Sequence, residues 1–89
     1  MNEHEVFLKV VDILEEIGGI RVEDTSKTLV DDLAMDSFRL VTLLVMIEDA
    51  FEIELEESDM DPFRLVSVKD VIDLVSEYVR RSSRYQPLV

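Results

Sequence analysis

The chain contains no cysteine. That absence excludes a disulfide framework, cysteine-based zinc sites and a cysteine nucleophile together, so any thiol chemistry requires an added group. Its only glycines are the adjacent Gly18 and Gly19, which rules out a glycine-rich phosphate loop. The single histidine is His4. A histidine-based triad would have to recruit it from the approach to the first helix, where such a residue is usually a bystander. Basic residues are also scarce, nine against 21 acids, for a formal charge of −12. A field of that sign repels nucleic acid and anionic membranes and draws in basic partner surfaces. Acidity that serves solubility alone is the plainer alternative. No apolar run approaches the ~18–20 residues of a bilayer span, and the N-terminus lacks a basic, apolar, small-residue leader. A cytoplasmic, monomeric protein without membrane insertion is expected.

What remains is a core. Hydrophobic residues make up 47% of 89 residues, enough for one small folded domain. Val6, Phe7, Val10, Val11, Leu14 and Ile17 recur at helical spacing, with Asn2 and Glu5 placed for a capping box and Gly18-Gly19 ending the run. A second helix spans about Ser37–Glu52. A third opens at Ser67, with Asp70 three residues on, and continues through Val68, Val71, Ile72, Val75 and Val79 to about Arg81. No segment alternates long enough for a strand, Ile53-Glu54-Leu55 included, so the fold class is all-α. The long connection from Ile20 to Met35 carries Ile20, Val22, Leu29, Val30 and Leu33, which are expected to pack into the core. Pro62 suggests a short helical turn between the second and last helices. The domain is expected over residues 1–81, with a flexible tail over 82–89.

The most informative stretch is Asp31-Asp32-Leu33-Ala34-Met35-Asp36-Ser37-Phe38, which runs directly into the apolar second helix. It delivers one serine, preceded by Asp36, to a helix N-terminus, where unpaired amides and the positive end of the macrodipole favour a phosphate ester. Stepping ~100° per residue puts Leu40, Leu43, Leu44, Ile47 and Phe51 on one face of this helix. Phe38, Val41 and Val45 line up on the opposite face, followed by Asp49, with Glu48 at the edge. Three aligned apolar residues beside the serine suggest a docking ridge, although isolated surface apolar residues are normal. Asp36 as a plain helix cap with Ser37 incidental would explain the pair but not the ridge. Asp59-x-Asp61 fails as a calcium loop, since Arg64 and Asp70 stand where glycine and glutamate are needed. No metal site and no catalytic residue are expected.

Asp36-Ser37-Phe38 at the opening of the second helix resembles the attachment site of acyl carrier proteins, and the likeness covers about Glu3 to Arg81. The resemblance implies a small antiparallel bundle of three main helices plus a short one before the last, a four-helix bundle with a long first loop. It implies that Ser37 carries 4′-phosphopantetheine, moved from coenzyme A by a separate phosphopantetheinyl transferase, with Asp36 as cap or as a contact on the transferase's magnesium side. The arm's thiol would hold acyl intermediates as thioesters for fatty-acid, lipid or polyketide biosynthesis. Acyl-loading and acyl-processing enzymes with basic docking patches would then read Phe38, Arg39, Val41, Val45, Glu48, Asp49, Glu56 and Glu57.

Departures from the family narrow the expectation. Housekeeping fatty-acid carriers usually read Gly-Ala-Asp-Ser-Leu-Asp, whereas this chain reads Ala34-Met35-Asp36-Ser37-Phe38-Arg39 and has Thr42 in place of another acid. A cation on the face that partners read redirects their choice. A stand-alone carrier of a specialised pathway is therefore expected. An aminoacyl or peptidyl carrier is the alternative within the family, and a cofactor-free acidic helical interaction domain the alternative outside it. The charge yields a prediction in any of these cases: at −12 the chain repels itself. Added salt or divalent cations should therefore raise the melting temperature. A trace that is flat or falling between low and moderate salt would mean that the charges are already paired.

Overall fold

The computed structural model describes residues 2–60 and 64–84. It contains α1 (Glu3–Gly18), α2 (Ser37–Phe51) and α3 (Val68–Arg84), with a 3-10 helix over Glu57–Met60. Among the described residues the α-helices number three, so the expected four-helix bundle is corrected to three α-helices and a 3-10 turn. Pro62 lies outside the described residues, as does the part of the expected tail from residue 85 onward. α3 continues to Arg84.

Each helix begins where a side chain can satisfy its orphan amides. The Asn2 side chain accepts from the Glu5 amide at 2.8 Å, and α1 stops at Gly19, whose φ of 79° the missing side chain makes inexpensive. At α3 the capping box is reciprocal. Ser67 Oγ accepts from the Asp70 amide at 3.2 Å, while Asp70 Oδ2 accepts from the amides of Ser67 and Val66, both at 3.0 Å. α2 ends on Glu52 in a left-handed conformation, φ 54°.

α1 packs against both α2 and α3. It runs antiparallel to α2: Lys9 Nζ, in the first half of α1, donates to the carbonyl of Ala50, near the end of α2, at 3.2 Å, while Gly18 at the end of α1 lines a groove with Arg39 at the start of α2. The buried side chains of α2 are Leu40, Leu43, Leu44, Ile47 and Phe51, the stripe that helical spacing predicts. Val6, Val10, Val11 and Leu14 are buried on α1 as expected, and Ile13 joins them; on α3 Val68, Val71, Ile72 and Val75 are buried, with Tyr78. Phe7, Ile17 and Val79 pack on the core margin.

The first connection is built, not slack. Leu29 is completely buried, and Met35 is buried beside it. The Leu29 amide donates to the Val66 carbonyl at 2.9 Å, while the amides of Val68 and Lys69 donate to the carbonyls of Lys27 and Thr25 at 3.0 and 2.9 Å. Thr28 and Ser67 thereby form the β-bridge, an isolated one, among the described residues. Two expectations fail here: Ile20 and Val30 are 71% and 56% exposed instead of buried. In the turn around Thr28–Asp32, Leu29 is buried and its neighbour Val30 faces outward.

Asp70 carries a pH prediction. Its carboxyl titrates below its ordinary value of 3.8, first because the Ser67 amide donates to it, with the Val66 amide adding and burial opposing. A lowered folded value means that the carboxylate's stabilisation is complete above 3.8 and is lost as pH falls through the lower folded value. Asp70→Asn should cost about 1 kcal/mol near neutral pH. The gap from wild type, followed by urea unfolding, should close as pH drops below that window.

Candidate functional site

Asp36 is the N-cap of α2, with φ −88° and ψ 179°, and its Oδ1 accepts from the Arg39 amide at 2.9 Å. Its carbonyl accepts from Leu40 at 3.0 Å. The amides of Ser37 and Phe38 have no acceptor among the described residues. Ser37 itself is exposed, and its hydroxyl has no hydrogen-bond partner among the described residues. Two buried anchors flank it: Met35, whose amide donates to the Leu29 carbonyl at 3.0 Å, and Leu40. The serine is thus presented on a rigid start of helix, facing solvent.

Charge is distributed to match. α1 carries Glu3 and Glu5 in its first turn and α3 carries Asp70, but the first turn of α2 has no acid. In a chain with 21 acids, this leaves the positive end of the α2 dipole unopposed apart from the cap, whose carboxylate is engaged by the Arg39 amide. An exposed hydroxyl, free amides and an adjoining guanidinium fit a phosphate ester at this point.

The approach to the site is a tight turn. Asp32 Oδ2 accepts from the Thr28 amide at 2.8 Å and from the Thr28 hydroxyl at 3.2 Å. The Asp32 carboxyl lies below its ordinary range, chiefly because of the Thr28 amide, with the hydroxyl and the nearby Lys27 charge adding to it. Ala34 then adopts φ 54°, a left-handed conformation that costs an L-residue about 1–2 kcal/mol. A glycine at this position would meet no such cost.

Phe38, Val41 and Val45 are 79%, 48% and 52% exposed, so the ridge predicted from helical spacing stands open beside Ser37. Arg39, Asp49, Glu56 and Glu57 are exposed as well. Glu48 is different. It is half-buried, and its Oε2 accepts from the Leu55 amide at 2.9 Å, which ties the end of α2 to the segment after it. Thr42 Oγ1 donates back to the Phe38 carbonyl at 2.9 Å.

Several features escaped the sequence. The Tyr78 hydroxyl donates to Asp59 and accepts from the Glu56 amide at 3.0 Å, fastening the 3-10 turn to α3. Burial, with the Asp59 hydrogen bond second, raises the phenol above its ordinary value. A groove of about 380 Å³ also opens between the end of α1, the first connection and the start of α2; Ile20, Val22, Leu33 and Met35 line it, with Lys27, Asp32 and Arg39. No local pattern announces either, because their parts lie far apart in sequence. His4 stacks near Phe7, ring centroids 6.2 Å apart, at the start of α1, the end of the bundle away from Ser37. No acid, histidine or cysteine cluster among the described residues could hold a metal, and no helix there is long and apolar enough to cross a membrane.

A family model described as "Phosphopantetheine attachment site" matches residues 8–75. An acyl carrier protein from Thermotoga maritima, known from its crystal structure, superposes with a TM-score of 0.74 at 26% identity, over 91% of this chain and 94% of its own. No curated protein matches the chain in sequence.

The strained residue provides a test. Ala34→Gly removes the left-handed penalty and adds the chain entropy of glycine, about 0.5–1 kcal/mol of opposing cost. The balance should be a gain of a few tenths to about 1 kcal/mol in urea unfolding. Destabilisation would show that the Ala34 methyl contributes packing at the groove wall.

Proposed function

The chain belongs to the phosphopantetheine attachment-site family, and from that premise we propose that Ser37 is the residue that carries the group. Members of the family are carrier domains, not enzymes. They bear 4′-phosphopantetheine covalently, are modified by a phosphopantetheinyl transferase, and work with biosynthetic enzymes. The observation that carries the assignment is the exposed Ser37 hydroxyl, without a partner among the described residues, at the start of α2, whose first turn, unlike those of α1 and α3, is free of acids.

The hydroxyl needs outside help to react. Among the described residues no histidine, lysine or carboxylate bonds to it, so in this reading the base that takes its proton belongs to the transferase. The chain's own contribution is presentation: Met35 and Leu40 fix the backbone on either side, and the free amides of Ser37 and Phe38 face the incoming phosphate. When attached, the group supplies a terminal thiol for thioesters, chemistry that a chain without cysteine otherwise lacks.

The cargo is acyl in this reading, supported by the similarity to the Thermotoga acyl carrier protein. The Phe38–Val41–Val45 ridge would supply apolar contact to partner enzymes, and exposed Asp49, Glu56 and Glu57 would steer their basic patches. Arg39, exposed two residues after the serine, puts a cation where such patches expect an acid. That feature favours a specialised pathway over housekeeping elongation.

Incubation with coenzyme A and a promiscuous phosphopantetheinyl transferase, followed by intact mass measurement, tests the assignment. Wild type should gain one phosphopantetheine and Ser37→Ala none. The substitution should leave the melting temperature nearly unchanged, since a first-turn serine contributes at most about 1 kcal/mol. Modification retained in the mutant would move the site elsewhere.

A further inference from the structure

Basic side chains are rare in this protein, and nearly all are occupied. Arg21 pairs with Asp12, Glu15 and Glu23; Lys69 pairs with Asp73; Arg80 and Arg81 share Glu77. Lys9 donates to the Ala50 carbonyl and Arg64 to that of Ser58. Among the described side chains, Lys27 and Arg39 alone make neither an ion pair nor a side-chain hydrogen bond. Both line the same groove, the one at the start of α2.

That coincidence has an electrostatic meaning. Two other grooves among the described residues are lined with an excess of acid: Glu3 and Asp73 against Arg80 in one, the same two acids against Lys69 in the other. The groove at the start of α2 has two cations against Asp32 in its lining; the Asp32 carboxylate is held by Thr28, and Lys27 also lies within electrostatic reach of Asp24, outside the lining. Its lining thus carries one net positive charge, on a chain of formal charge −12. Its walls are apolar, and Ile20, 71% exposed, is one of them. Its volume of about 380 Å³ falls within the ~300–1,000 Å³ of small-molecule sites.

Resting on the carrier reading above, we propose that the groove between the end of α1 and the first connection is a resting site for the chain's own phosphopantetheine arm. Lys27 and Arg39 hold its phosphodiester end, and Ile20, Val22 and Leu33 cover its apolar body. In sequence Ser37 stands two residues from each of two groove residues, Met35 and Arg39, so an arm attached there is tethered close by and needs no encounter from solution. A single phosphodiester charge complements the net positive lining. Ile20 gains an apolar partner, which accounts for a large exposed side chain on an otherwise ordered connection.

The experiment compares amide 1H–15N spectra of unmodified protein and of protein modified to completion, with intact mass verifying the modification. Attachment should move the amides of Ile20, Val22, Lys27 and Leu33, across the groove, as well as those next to Ser37. Nuclear Overhauser contacts should join the arm's geminal methyls to Ile20 or Leu33. In Lys27→Gln with Arg39→Gln, modified to the same mass, the shifts across the groove should collapse and those from Asp36 to Leu40 persist. Both side chains are exposed, and the hydrogen bonds of Lys27 run through its backbone amide and carbonyl, so the variant keeps the fold; unchanged amide dispersion checks this. Shifts confined to residues 36–40 in wild type, or shifts across the groove that survive the double substitution, overturn the resting site while leaving the carrier reading intact. A chain that gains no mass overturns both.

Discussion

Three backbone hydrogen bonds tie the first connection to the entry of α3: Leu29 to Val66, Val68 to Lys27 and Lys69 to Thr25. They dock a long segment without regular secondary structure onto a helix end, and in doing so satisfy the first amides of α3. Leu29 is driven fully into the core by the same docking, and Met35 follows through its bond to the Leu29 carbonyl. Everything at the functional end depends on this. Without it Asp36 and Ser37 would lie at the end of a loose loop, and α2 would start wherever its cap allowed. With it, the serine occupies one place relative to the groove on one side and the ridge on the other.

The electrostatics build on that frame. Acids crowd the chain, yet the start of α2 is spared them, and two unpaired cations sit on the adjoining groove. A strongly negative protein thus keeps one small region suited to a phosphate. The same negative charge, displayed along Asp49, Glu56 and Glu57, remains available to basic partners. In the proposed reading, attachment and recognition would use opposite signs of charge on different surfaces, an arrangement that a uniformly acidic helix could not provide.

Much of the fold was legible residue by residue. The α2 stripe of Leu40, Leu43, Leu44, Ile47 and Phe51 is buried because helical spacing leaves it no other common face. Asn2, Asp36 and Ser67 cap their helices as their short polar side chains predict. The first connection was less legible. Apolar character alone placed Ile20 and Val30 inside, but a turn admits inward only the residues its backbone aims there, and aim is not written in composition. Glu48 was read as a surface acid and carries a bond to the Leu55 amide as well, because the chain folds back over it after α2.

The sequence by itself determined the three helices, their caps, the buried stripes, and a lone serine after Asp36 at the opening of α2. These depend on periodicity and on bonds spanning three or four residues, which local order dictates. Only the tertiary structure decided which surroundings that serine has. The groove gathers Leu14 and Gly18 from α1, Lys27 and Asp32 from the connection, and Arg39 from α2. The lock of Tyr78 on Asp59 and Glu56 spans 19 and 22 residues. Such contacts are chosen by how the helices pack and how the connection docks, and packing is a property of the whole chain at once.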